Sequence, residues 1–244
     1  MSSKQILPSE EIIQQYGSSL VGKTILITGV SGDSIAGELA IQLSAAKPHL
    51  LILSARAEDR IAPIVEKIKA MAPHVATKFL KMDLGDLNDI KTAVDTTLHD
   101  ISKINHLACV AGIMVPPYGK TKDGFETQFG VNYLANFLLV KLLLPKVRAA
   151  GVGASITLVS SSAARTGKID FEDIGFSDGR TYEPLTAYCQ SNAAEVMFVK
   201  ILAENWMVKE SGPSALILVV CNHGLNHSQS LLDAELSSVS EGGT

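Results

Sequence analysis

Apolar bursts rich in β-branched residues alternate along the chain with longer segments of helical period, and that alternation leaves few folds open. The bursts are Thr24 to Thr28, Leu50 to Ser54, Lys78 to Met82, His106 to Val110, Ser155 to Val159 and Ala215 to Val220. All six are predicted strands. Between them Ile35 to Lys47, Ile61 to Met71, Leu87 to Leu98, Gly124 to Arg148 and Leu185 to Met207 place apolar residues three and four apart, the spacing of one helix face. Near-continuous apolar strands suit a parallel sheet buried on both faces, with right-handed crossovers stacking helices on either side. The predicted class is therefore α/β, a doubly wound parallel sheet (Rossmann-like) in a single domain, with ligands at the carboxyl ends of the strands. Residues 1–21 read as an N-terminal extension carrying a short helix, with Ser9 as N-cap and Glu10 and Glu11 in its first turn. The domain runs over 22–232, and 233–244, rich in Ser, Gly and acids, reads as a disordered tail.

Composition narrows the partners. A chain of 244 residues, 46% hydrophobic, can fill one core without a metal or disulfide staple. The formal charge is -4 and no basic run is present, so nucleic acid is not an expected partner. Apolar stretches such as Ala215 to Cys221 fall short of the roughly 20 residues of a membrane span. Lys4, Glu10, Glu11 and several Gln precede any apolar run, so no secretory core can be placed at the N-terminus. Cys109, Cys189 and Cys221 are odd in number and lack CxxC spacing. A soluble cytoplasmic protein with free thiols, no metal and no membrane partner is expected.

The first burst runs into Gly29-Val-Ser31-Gly32-Asp33-Ser34-Ile35-Ala36-Gly37 and then a helix, the place where a dinucleotide fold cradles pyrophosphate. The second burst ends in Ser54-Ala-Arg56, where an acidic residue would accept ribose hydroxyls. Arginine can instead pair with a 2′-phosphate, which reads as NADP rather than NAD. One loop, Ala164 to Pro184, is long, polar and glycine-containing, and is expected to overhang the ligand end as a substrate-side flap.

Thr28-Gly29-Val-Ser, Asp83-Leu84, Ala111-Gly112-Ile-Met114, Gly124-Phe-Glu-Thr-Gln-Phe-Gly-Val-Asn132, Val159-Ser160-Ser161 and Tyr188-Cys-Gln-Ser191 occur in this order. The set resembles the short-chain dehydrogenase/reductase superfamily, with a flavour of its retinol-dehydrogenase-like and fungal secondary-metabolism members. The resemblance implies a site in which Tyr188 exchanges a proton with the substrate oxygen, Ser161 holds that oxygen and Asn132 positions a relay water. It implies cofactor contacts on Gly29, Ser31, Gly32, Ser34, Ile35, Arg56, Asp83, Leu84, Ala111 and Gly112. It also implies a lysine one turn after the tyrosine, to bind the nicotinamide ribose and favour the phenolate.

Several positions depart from that pattern. Asn192 stands where the lysine is expected, and an amide carries no charge. Asp33 and Ala36 stand at glycine positions; a carboxylate at the helix N-terminus either substitutes for phosphate there or is an ordinary cap that points away. Cys109-Val110 replaces a pair of asparagines, His223 replaces a proline and offers an alternative acid/base, and Ser228 stands at a threonine position. Little sequence follows to build the family's substrate-covering helix and last strand, so the fold is expected to lack both. NADP(H) binding is expected to be weak or lost. The leading expectation is an enzyme of small-molecule, secondary metabolism that has lost ordinary hydride transfer and uses Tyr188, Ser161 and Asn132 for isomerisation, cyclisation or dehydration. The alternatives are an NADP(H)-dependent carbonyl reductase or alcohol dehydrogenase with a lysine-free centre, and a non-catalytic binding subunit. Homo-oligomerisation is left open.

Overall fold

Buried apolar runs must pair their backbone N–H and C=O groups, and here they do so with one another in a sheet. In a computed structural model that describes residues 8–209, five of them are strands: β1 (Thr24–Thr28), β2 (Leu50–Ala55), β3 (Ala76–Lys81), β4 (His106–Cys109) and β5 (Ser155–Leu158). All pairings are parallel and the order is β3-β2-β1-β4-β5. The sixth expected strand, together with His223, Ser228 and the tail, lies outside the described residues.

The helices are α1 (Ser9–Tyr16), α2 (Ile35–Ser44), α3 (Ala62–Met71), α4 (Leu87–Thr97), α5 (Ala135–Arg148) and α6 (Pro184–Lys209). Alternate strand residues feed opposite layers. Ile25, Ile27, Leu51 and Leu53 pack with Ile41, Ile64 and Ile68 of α2 and α3. Leu26, Ile52, Leu107 and Ile156 pack with Ile90, Leu139, Leu143 and Val199 of α4, α5 and α6. The segment Phe129–Arg148 is long and apolar enough by composition to cross a membrane. Here Leu139, Val140, Leu143 and Val147 are sunk in the sheet-side core.

Element edges differ from expectation for local reasons. Pro8, not Ser9, is the N-cap of α1; Ser9 is the first helical residue and its hydroxyl turns to the Glu10 carboxylate. β3 begins at Ala76 because it pairs with Leu50 on the sheet edge, where polar residues are tolerated and the apolar pattern starts late. β4 stops at Cys109 because the next two backbone N–H groups, of Val110 and Ala111, both donate to Thr28 Oγ1, at 3.0 and 3.1 Å. The long helix starts after Glu126, not at Gly124. The Glu126 carboxylate accepts from the Gln128 and Phe129 N–H groups, both at 2.8 Å, and the first full turns, Phe129–Leu134, are π-helical. The segment 164–184, expected as a substrate-side flap, is hydrogen-bonded to its neighbours at both ends. Asp170 N–H donates to Gln190 Oε1 at 3.0 Å, and Tyr182 Oη donates to the Pro116 carbonyl at 2.9 Å.

The chain steps from β1 outward to β3, then returns past β1 to β4 and β5. The crevice between the carboxyl ends of β1 and β4 is thus a topological switch point, where ligands bind in open α/β sheets.

Candidate active site

Two clefts meet at that switch point and share Val110, Ala111, Gly112 and Ile113. The larger, of about 740 Å³, runs over the turn between β1 and α2. Gly29 has φ +78°, and a Cβ there would lie 2.8 Å from Ala111 Cα, so only glycine lets the backbones approach so closely. A Cβ on Gly37 would strike the Ser31 carbonyl. Arg56 lines this cleft with Asp83, Leu84 and Ile35. Arg60, Lys120 and Lys122 line it as well and were not foreseen, because the turns that bring them there have no sequence period. Gly32 is absent from its lining and faces Pro63.

The cap of α2 corrects the expectation for Asp33. Ser34 is the N-cap: its Oγ accepts from Gly37 N–H at 3.0 Å and Ser31 N–H at 2.9 Å, and donates to the Ser31 carbonyl at 3.0 Å. Asp33 is exposed, lines the cleft and takes neither N–H group. It neither caps the helix nor replaces a phosphate at its N–H groups. Ser34, expected as a cofactor contact, lines the cleft, and its Oγ occupies the Ser31 N–H group, which lines it too, and the buried Gly37 N–H group. Across the cleft Lys122 binds Asp86 at 2.8 Å, and this bond holds the Asp86 carboxyl below its ordinary value.

The smaller cleft, of about 280 Å³, gathers Asn132, Ser161, Tyr188 and Asn192 against the apolar side chains of Ile113, Met114 and Leu185. Asn132 sits in the π-helical turn and is buried. Its Oδ1 accepts from Ile113 N–H at 2.8 Å, and its Nδ2 donates to the Ile113 carbonyl at 2.9 Å and to Ser191 Oγ at 3.0 Å. The side-chain amide therefore braces the segment after β4, and the backbone carbonyl of Asn132 accepts from Asn136 Nδ2 at 2.8 Å. Ser161 caps a short 3-10 turn, its Oγ accepting from Ala163 N–H at 3.2 Å. Tyr188 is half-buried, and among the described residues its hydroxyl has no hydrogen-bond partner.

Asn192 is held on both sides of its amide. Nδ2 donates to the Tyr188 carbonyl at 2.9 Å, and Oδ1 accepts from Ser160 Oγ at 3.0 Å. Ser160 is the buried member of the serine run, whereas Ser161 is only half-buried. One turn further, Glu195 lines the same cleft while 2% exposed. Asn136 Nδ2 donates to its Oε1 at 3.1 Å, and the Ser160 hydroxyl is its other polar side-chain neighbour. Burial pushes its carboxyl up to about 8, against the smaller opposing pull of these two groups. The signal in the sequence was spacing: Tyr188, Asn192 and Glu195 are four and three apart, on one helix face.

The chain matches the family model for short chain dehydrogenases over residues 23–172. It is 34% identical over 186 residues to retinol dehydrogenase 13 of Mus musculus, covering 76% of this chain and 54% of that protein. It is likewise 34% identical over 185 residues to retinol dehydrogenase 12 of Homo sapiens, covering 76% and 57%. The chain thus spans little more than half the length of the curated relatives it matches. Among solved structures, an uncharacterized protein from Mycobacterium Paratuberculosis superposes with a TM-score of 0.70 at 29% identity, over 88% of this chain and 73% of that one. A short chain dehydrogenase from Shigella flexneri complexed with NADP superposes at 0.61 with 20% identity, over 78% and 74%, a likeness of fold. With the parallel sheet, the glycine turn and the Asn132, Ser161 and Tyr188 cleft already in place, the family match is decisive: the chain belongs to the short-chain dehydrogenase/reductase superfamily and resembles the retinol dehydrogenases within it.

Proposed function

We propose that the chain is an NADP(H)-linked oxidoreductase acting on a carbonyl or alcohol of a small apolar molecule, with Tyr188 and Ser161 at the reacting oxygen. The observation that carries this reading is the continuity of the two clefts through Val110 to Ile113, which joins an arginine-bearing nucleotide groove to the tyrosine pocket. The names of the retinol dehydrogenase relatives and the NADP bound to the Shigella flexneri neighbour support it.

The groove fits a dinucleotide at its adenosine end. The Cβ-free approach at Gly29 leaves room for a pyrophosphate against backbone, and Arg56 and Arg60 offer the planar forks that suit a 2′-phosphate. When bound, NADP(H) supplies or takes up a hydride. In the reductive direction Tyr188 Oη gives its proton to the substrate oxygen and Ser161 Oγ donates a hydrogen bond to it. Apolar walls at Ile113, Met114 and Leu185 select an apolar substrate body. Asn192 brings no positive charge to Tyr188, so turnover is slow. That same neutrality favours a second reading, in which Tyr188 and Ser161 serve an isomerisation, cyclisation or dehydration that needs no hydride.

Titration with NADPH, followed by nicotinamide fluorescence, separates the two readings. The expected result is saturable NADPH binding with a preference over NADH that Arg56→Ala reduces about tenfold, the loss of one charge-assisted contact. Absence of NADPH binding at millimolar concentration would reject the oxidoreductase reading in favour of the hydride-free one.

A further inference from the structure

The floor of the tyrosine cleft is short of hydrogen-bond donors. Ser160 has one hydroxyl hydrogen, yet both Asn192 Oδ1 and the Glu195 carboxyl lie within its reach. Asn136 donates through Nδ2 to the Asn132 carbonyl and to Glu195, while its Oδ1 is buried without a partner. No lysine or arginine lines the cleft among the described residues. An ionised Glu195 would add only acceptors to this cluster, whereas the neutral acid supplies one further donor. Buried acceptors left without donors are costly, so the count itself favours the acid.

We propose that Glu195 is a positioning residue of the site that keeps its own proton: the neutral acid donates to Ser160 Oγ, Ser160 passes its hydrogen to Asn192 Oδ1, and this chain holds the Asn192 amide in one orientation, with Nδ2 on the Tyr188 carbonyl. The proposal rests on reading this cleft as the reaction site only for what the chain serves, not for its existence. Ionisation releases one proton to water through the cleft. Ser160 then turns its single hydrogen to the carboxylate, and Asn192 Oδ1 loses its donor. The titratable group that faces Glu195 from another element is Cys109 of β4, a fully buried thiol that burial pushes far up, so it stays neutral throughout. The remaining neighbours, Asn136 on α5, Ser160 after β5 and Asn192 on α6, do not titrate. The chain is set below about 8, where burial places the Glu195 carboxyl, and is broken above it.

The test follows the side-chain amide resonances of Asn192, assigned by their loss in Asn192→Ala, from pH 6 to 10 in the protein without added cofactor. The wild type is expected to show one titration with a midpoint near that of Glu195. Glu195→Gln, whose amide donates to Ser160 at every pH, should show none, and Ser160→Ala should uncouple Asn192 from the acid. Persistence of the titration in either variant, or a flat wild-type profile, would overturn the proposal. Infrared spectra of the wild type guard against a misfolded variant: a protonated-carboxyl C=O band should be present at pH 7 and gone by pH 10, and its absence at pH 7 counts equally against the idea. Because no turnover is read, failure of the oxidoreductase reading leaves these outcomes unchanged. A Tyr188→Phe variant that loses activity but keeps the titration bears on the reaction alone.

Discussion

Glu195 also sets a pH dependence for folding. The folded state holds its proton up to about 8, whereas the ordinary carboxyl value is 4.5. Between those limits the folded chain binds more protons than the unfolded one, so stability is fully present at the acid end and falls as pH rises. The slope approaches about 1.4 kcal/mol per pH unit for one proton and vanishes above the folded value. Glu126, which burial also raises, adds in the same sense. Urea denaturation at intervals from pH 5 to 9 should show this decline, and Glu195→Gln should flatten most of it; an unchanged slope in the variant would show that the acid is not held neutral by the fold. Legibility varied at this scale. Tyr188, Ser161, Asn132 and Asn192 stood in recognisable motifs, and the fold brings all four to one cleft. Glu195 did not stand out, because an acid on a helix ordinarily faces solvent and sequence spacing does not show which face the sheet covers.

Elements were legible where burial is continuous and obscure where one hydrogen bond decides. All five residues of β1 are buried, and its span is the expected one. The helix starts hinge instead on single oxygens: Ser34 rather than its neighbour Asp33 caps α2, and Glu126 rather than the glycine before it opens the long helix. Both residue types at 33 and 34 cap well, so propensity could not choose between them. Ser34→Ala should lower stability by about 1 kcal/mol through the lost cap. In the same variant NADPH should bind more tightly, since the Ser31 N–H group, which lines the cleft, becomes available to a phosphate. Denaturation without cofactor and a fluorescence titration with it check both halves. A destabilised variant with unchanged or weaker NADPH binding would show that Ser34 does not compete with the ligand.

Across the whole molecule, the segment after β4 and the segment before α6 form one clasp beside the site. Tyr182 Oη donates to the Pro116 carbonyl and accepts from Gln128 Nε2 at 3.0 Å, and its ring packs edge-on against Tyr118 and Phe176. Lys120 reaches Asp178 across the same seam at 2.6 Å, but that pair is exposed and adds little. Tyr182→Phe keeps the ring and removes both bonds, so amide exchange in 115–128 and 164–183 should quicken while the sheet stays protected. Uniform exchange in wild type and variant would show that the clasp is held by the rings alone. The glycine turn and the tyrosine motif made the two ends of the site legible in sequence, whereas this clasp was not, because its partners are 54 and 66 residues apart. Asn192 and Glu195 line one cleft beside Tyr188. A lysine arising at 192 would meet a carboxyl three residues on, draw off its proton and pair with it, so that the charge offered to Tyr188 is largely cancelled. An Asn192→Lys substitution alone would therefore offer Tyr188 little net charge, whereas the same substitution combined with Glu195→Gln would offer it a full one.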